Sequence, residues 1–476
     1  MCENCTRRDF LGGAAMGGLM LATGRLAAGR QATGLPPRTA EKIKICTVFT
    51  GRPGEPGRGW TLNTPEIEAM KQRLAAIEKK LGNVEFVVGQ AATHEQTAAL
   101  MAQAGPDAPV LAINLSIRGL LNAITPVLDA GRPLAVYSVP ATGHDWMYPY
   151  RWQREGKPVT LMASSDESEL ERAASLLRVV PMMRRSRVLI MPPMCGTTAS
   201  CDLEQIKKRL GTDVVAVDEA QFNALIESMD AAEVEAETRK WLDEAVRTVE
   251  PSREEIAKAA RVSLAMDRLL DQEQADALAI GTCLAWLQKG FPCLGFTRLR
   301  DRGIPASCEG DMDSLWTMML FDHAFDLPGF QGNATFDTSR NALWTAHCVG
   351  PLKMDGIDGP DAPYILRSHS EIGHGVVPEI LYRVGQKVTR AKFVNLDTML
   401  ISTGTIVEVP ELSVRACRTQ IVTEVDDAAA MARNWGGGVL EGDMMTLLHR
   451  VVFYGDHVQS MRHLGDLMGF RVIMEG

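Results

Sequence analysis

Two carboxylates and two imidazoles stand out in the back half of the chain. Glu309 lies in Cys308-Glu309-Gly310-Asp311, Asp337 in Thr335-Phe336-Asp337, His347 in Thr345-Ala346-His347-Cys348, and His449 follows far downstream. Together they make a ligand set for a divalent metal ion. Carboxylate oxygens favour hard cations such as Mn2+ or Mg2+, and imidazole tilts the choice towards Mn2+ and other transition metals. Such an ion would grip a hydroxylated or carbonyl-bearing substrate.

Each residue also has a plain structural explanation. Asp311 and Asp313 open a helix, where acids favour the macrodipole and Asp311 suits the N-cap. Glu309 differs, because it precedes the cap among apolar neighbours, in a loop shaped by Pro305 and Gly310. Asp337 sits beside Asn333, Thr338 and Ser339, a setting where turn chemistry alone accounts for an aspartate. His347 follows Trp344 in an apolar run, where a single histidine is commonly a satisfied core residue. His449 interrupts an apolar strand, an unexpected place for a surface histidine. Ser368-His369-Ser370-Glu371 and His374 gather polar groups suited either to sugar hydroxyls or to a surface turn. Cys308 and Cys348 flank the ligand candidates and raise a Cys-His nucleophile, but no oxyanion loop accompanies them.

The elements that hold these residues are legible from pattern. Short apolar runs at Ile43–Phe49, Val84–Val88, Val110–Leu115 and Leu134–Val139 alternate with helical stretches, which predicts a parallel sheet covered by helices. Thr64-Pro65 is expected to cap a helix that Gly82 ends. A second α/β unit begins near Arg187–Met191 and continues through Asp213–Val217, helices within Asp230–Asp271, and Asp276–Gly281. Glu309 and Asp337 are then expected at or just beyond its end, where open α/β sheets place ligands. From about Tyr364 the texture becomes β-rich with Gly, Pro and Thr punctuation, predicting an antiparallel barrel or sandwich. A strand at Leu447–Tyr454, a helix at Asp456–Met468 and a last strand close the chain.

Length and charge bound the partners. The 476 residues exceed what one core usually supports, and the net charge of -9 without a basic stripe argues against nucleic acid. Ten cysteines show no paired zinc spacing; Cys195 and Cys201 are the pair close enough in sequence to invite a local disulfide. At the N-terminus, Thr6-Arg7-Arg8-Asp9-Phe10-Leu11 is a twin-arginine motif, followed by a short, glycine-rich apolar run to Ala22. The expectation is export of a folded protein to the periplasm, with cleavage near Ala27 or Ala28. No later segment approaches the ~20 apolar residues of a membrane helix, so no membrane is expected in the mature form.

On these residues the chain resembles the L-fucose isomerase and L-arabinose isomerase family. Glu309-Gly310-Asp311 is similar to the Glu-Gly-Asp of the arabinose enzymes, Asp337 stands for the second acid, and His347 for the histidine that follows. Ser370 to Pro378, with Ile372-Gly373, resembles the segment entering the family's C-terminal barrel. His449-Arg450-Val451-Val452-Phe453-Tyr454, a helix, and Gly469-Phe470-Arg471-Val472-Ile473 resemble its closing stretch. Leu448-His449 replaces a His-His pair, and the Asp337 to His347 gap is shorter than in the family.

The resemblance implies an α/β fold, with two Rossmann-like doubly wound domains followed by a C-terminal antiparallel β-barrel domain. The expected layout is leader and linker 1–34, first α/β domain 42–180, second α/β domain 181–345 carrying Glu309 and Asp337, and barrel domain 346–476 carrying His449. It implies a metal-dependent ketol isomerase that interconverts an aldose and a ketose through an enediol. Glu309 and Asp337 would be acid/base pair and ligands, His347 and His449 would hold Mn2+ or another divalent ion, and His369 and Trp344 would contact the sugar. A homo-oligomer, trimer or hexamer, is implied as well. The rival readings are a non-catalytic sugar-binding protein, and a metal-dependent sugar epimerase or lyase.

Overall fold

The computed structural model describes residues 42–54, 61–140, 144–281, 288–436 and 448–475. The twin-arginine motif and its cleavage site lie outside the described residues. Among those described, no helix is long and apolar enough to cross a membrane.

The strands Ile43–Thr50, Val84–Ala91, Val110–Asn114, Leu134–Ser138 and Val159–Ala163 form a parallel sheet in the spatial order second, first, third, fourth, fifth. Period-two alternation buries both faces. Ile43, Ile45 and Phe49 pack under the helices Thr64–Leu81 and Ser168–Arg185, while Cys46 and Val48 pack under His94–Ala104 and Gly119–Asp129. Asn63, rather than Thr64, takes the N-cap position of the first of these helices, with Pro65 in its first turn. Gly82 ends it at φ 72°, a left-handed value that costs glycine little.

A second parallel sheet repeats that order with four strands: Asp213–Ala216, Arg187–Met191, Ala277–Ile280 and Ala306–Cys308. The charged stretch between Asp213–Ala216 and Ala277–Ile280 includes the helices Ala231–Glu244 and Arg253–Glu273, the latter opened by a Ser252–Glu255 capping box. No disulfide joins Cys195 and Cys201. Cys195 is pinned instead through its backbone to Gly310 and Met312, and Cys201 lies on the short turn Ala199–Cys201.

Six antiparallel strands then close into a barrel. Their circular order is Lys387–Val394, His449–Tyr454, Phe330–Asp337, Ala342–His347, Thr419–Glu424 and Thr398–Glu408, and the last pairs with the first. Closure removes the free edges a sheet would otherwise expose. Arg471–Met474 adds to Thr398–Glu408 in parallel. The barrel therefore begins at Phe330 and not at 346, because the hairpin Phe330–Asp337/Ala342–His347 pairs only within it. Asp337 and Trp344 belong to the barrel rather than to the second α/β unit.

The helix Met312–Phe325 joins these parts. It is buried along almost its whole length, its polar Asp313, Ser314, Thr317, Asp322 and His323 included, with Leu315, Trp316, Met319, Leu320 and Phe321 fully covered. Each such side chain contributes roughly 1.5–3 kcal/mol of burial. Phe321 stacks on Phe453 of the barrel at 3.7 Å between ring centres. The same apolar cluster reaches Leu176 and Val179 of the helix under the first sheet. The N-terminus of this helix is thus a fixed point, and Glu309 stands just before it.

Candidate metal centre

The strand Ala306–Cys308 ends beside Ile280 at the carboxyl edge of the second sheet. Two consecutive left-handed residues follow, Glu309 at φ 61° and Gly310 at φ 64°. A side chain at 310 would strike the Pro193 carbonyl oxygen, so glycine is required there. Glu309 holds the same conformation without that exemption, a strain that concentrates at functional sites. Asp311 then caps the helix, accepting from the Ser314 backbone N–H at 2.9 Å.

The barrel brings two imidazoles to this turn. His347 ends one strand, His449 begins another, and their ring centres lie 5.2 Å apart. His347 Nε2 is 3.9 Å from Glu309 Oε1, and His449 Nε2 is 3.3 Å from Glu309 Oε2, the latter without hydrogen-bond alignment. Both His347 nitrogens and His449 Nε2 are buried with no hydrogen-bond partner. Buried polar atoms are normally satisfied, so nitrogens left open around a carboxylate fit an absent cation. Cys308 Sγ, a Glu309 oxygen and a His347 nitrogen all lie within 4.8 Å of one another.

Asp311 orients His449. Its Oδ2 lies 2.9 Å from His449 Nδ1, 3.2 Å from Lys392 Nζ and 2.6 Å from the Ser314 hydroxyl that donates to it. Burial alone would raise this carboxyl, but Lys392, His449 and Ser314 together hold it well below the usual carboxylate range. An ionised Asp311 can only accept, so His449 Nδ1 is the donor of this pair, and a ring carrying its single proton there would turn its Nε2 lone pair to Glu309. Burial, with His449 and Arg300 nearby, pushes His347 well below the ordinary histidine value, keeping it neutral as a ligand must be. Burial raises Glu309 and the adjacent His449 opposes it.

Not every expected residue arrives. Asp337 ends its strand four residues past Asn333, which stands opposite His449, and that is ~13 Å along an extended chain. Its carboxylate accepts from the Ser339 hydroxyl at 2.6 Å and the Ser339 N–H at 3.2 Å, in a hairpin turn. Those bonds and Arg340 lower its pKa. Asp337 is therefore a turn residue and not a ligand. Asn333 occupies the position beside the histidines, with its Oδ1 buried and unpartnered.

His369 is engaged by other groups. It is buried, stacked on Phe291 at 5.2 Å, with Nε2 3.4 Å from Cys348 Sγ. Its neighbours Ser370 and Glu371 instead line a cavity of about 320 Å3, together with Asn333, Thr335, Trp344 and Arg415. Trp344 does reach this cavity, its indole N–H fixed on Gln420 Oε1 at 3.0 Å. Glu371 interacts electrostatically with Glu309, one of the candidate ligands. The loop is buttressed from behind by Arg418, which donates to the Ser368 carbonyl at 2.8 Å.

Sequence reasoning passed over Asn333, Gln331, Lys392 and the orienting role of Asp311. Gln331 holds the turn: its Oε1 accepts from the Cys308 N–H, and its amide donates to the Cys308 carbonyl, both at 3.1 Å. The available signal was the polar alternation Gln331, Asn333, Thr335, Asp337, which puts four polar groups on one strand face. No known family model matches the chain, and no curated protein matches it.

Proposed function

We propose that this chain is a metal-dependent ketol isomerase that interconverts an aldose and a ketose. The observation that carries the reading is the set of unpartnered imidazole nitrogens around a strained Glu309; Asn333, paired with His449, lines a cavity whose walls offer amide, hydroxyl and aromatic groups. Glu309, His347 and His449 would hold a divalent ion, Mn2+ by the family resemblance. Bound there, the ion would polarise the carbonyl of an open-chain sugar.

The chain's own groups account for the proton movements. Glu309, its pKa raised by burial, is the base that takes the carbon-bound proton from C2 and returns it to C1. With Asp337 away from the site, Glu371 on the cavity wall is a second carboxylate available for the oxygen-bound protons. Trp344 offers a flat apolar face to the sugar, and Ser370 and Thr335 offer hydroxyls. The finer fold reading, two Rossmann-like doubly wound domains before the barrel, draws support from the strand order that both parallel sheets share.

One observation favours a second reading, a non-catalytic sugar-binding protein. Asn333, an amide that cannot act as a base, stands opposite His449 where a paired-acid scheme needs a carboxylate. A screen of aldoses and ketoses with added Mn2+ separates the two. Metal-dependent interconversion that Glu309→Gln abolishes supports the isomerase; saturable sugar binding without turnover supports the binding protein.

A further inference from the structure

The metal ion implied by family resemblance takes oxygen and nitrogen ligands, yet a sulfur lies among the donors here. Successive side chains on an extended strand point to opposite faces, so Cys308 and Glu309 would ordinarily diverge. The left-handed turn at Glu309 breaks that alternation. Cys308 Sγ, a Glu309 carboxylate oxygen and a His347 nitrogen then come within 4.8 Å of one another. Zn–S bonds of ~2.3 Å and Zn–N bonds of ~2.0 Å hold donors on one ion about 3–4 Å apart, a spacing these groups reach by small side-chain shifts. His347 is buried and both of its ring nitrogens lack partners.

A second observation concerns charge. Arg300 is fully buried, and its guanidinium donates to the Ala306 and Gly329 carbonyls and to Gln331 Oε1, all neutral. Among the described residues no carboxylate forms an ion pair with it. Cys308 is one of the groups it interacts with electrostatically, along with Tyr382, Asp301 and Cys293, and a metal-bound sulfur would add negative charge beside it.

We infer that Cys308 is a thiolate ligand of the metal centre, so that the site selects a borderline, thiolate-accepting divalent ion of the Zn2+ or Co2+ class over Mn2+ or Mg2+. This rests on the metal-site reading of Glu309 and His347 and changes the ion it takes. Sulfur donors favour softer metals, whereas an all-oxygen set favours hard ones. On binding, the Cys308 S–H bond breaks, a sulfur–metal bond forms and the proton leaves to solvent. Asp311 and Gln331 keep their partners.

Stripping the full chain with a chelator and titrating Co2+ tests this without any sugar. The wild-type chain is expected to develop a thiolate-to-cobalt charge-transfer band in the near ultraviolet. Cys46→Ala, in the first sheet, keeps the band; Cys308→Ser loses it. Cys308→Ser should also weaken Zn2+ binding by more than the roughly 10–100-fold that losing an outer partner of a ligand costs, while Mn2+ binding changes less. Circular dichroism confirms that the variant is folded, and the wild-type band stands as evidence even if it is not. Co2+ bound without a thiolate band, or a band that survives Cys308→Ser, overturns the role of Cys308 and leaves the metal site intact. A wild-type chain that binds none of these ions overturns both.

Discussion

The two parallel sheets share a strand order, yet their carboxyl edges are built in opposite ways. At the first, the polar groups at the strand ends pair with one another: the Thr50 hydroxyl donates to Asn114 Oδ1 at 3.0 Å, the Asn114 amide to the Ser138 hydroxyl at 3.2 Å, and the Ser116 hydroxyl to the Thr50 carbonyl at 3.0 Å. At the second, Gly310 packs against Pro193 and Gly281, the loops that follow the first and third strands, and delivers Glu309 to nitrogens that have no partner. Crevices of both kinds are ligand sites by topology alone. The difference lies in satisfaction: a network closed on itself stabilises the fold, while one left open waits for an ion or a substrate.

The largest test of that contrast is Glu309→Gln. Removing the base should lower turnover by roughly 10²–10⁴-fold, with the thermal unfolding midpoint unchanged because no buried partner is lost. Undiminished turnover would remove Glu309 from the mechanism. Next comes Asp311→Ala, which removes the Asp311 carboxylate from its buried ion pair with Lys392. Breaking one half of a buried ion pair costs about 3–5 kcal/mol, readable by urea denaturation, and metal affinity should fall with it. A loss under about 1 kcal/mol would show that Asp311 is only a helix cap. In the first sheet, Asn114→Ala should cost about 1–3 kcal/mol by removing the acceptor of the buried Thr50 hydroxyl, while metal uptake stays at the wild-type level. A drop in uptake there would erase the contrast between the two edges. Smallest of all, Asp337→Asn should shift stability by no more than about 0.5 kcal/mol and leave metal content untouched.

Elements with strong periodicity were legible in the sequence. The strands at Ile43, Val110, Leu134 and Arg187 begin where the apolar runs predict, and Gly469 ends the last helix in the left-handed conformation. Glu309 was legible because a lone acid in an apolar loop before a cap has no turn role to play. Asp337 misled because its strand carries polar residues at every second position, and alternation fixes a face but not a distance along it. Only the register Asn333 opposite His449 tells which of the four lies at the site. Asp311 was hidden for another reason: it does cap a helix, and its second task depends on Lys392 and His449, which lie 81 and 138 residues away in sequence. Long-range pairings of that kind leave no local pattern.

Equilibrium dialysis of the chelator-stripped chain against divalent ions tests the central claim most directly, comparing wild type with His347→Ala and Asn114→Ala. The prediction is stoichiometric binding by wild type and by Asn114→Ala, and its loss in His347→Ala. Equal binding by His347→Ala, or no binding by the wild-type chain, would contradict a metal centre at the junction of the second sheet and the barrel.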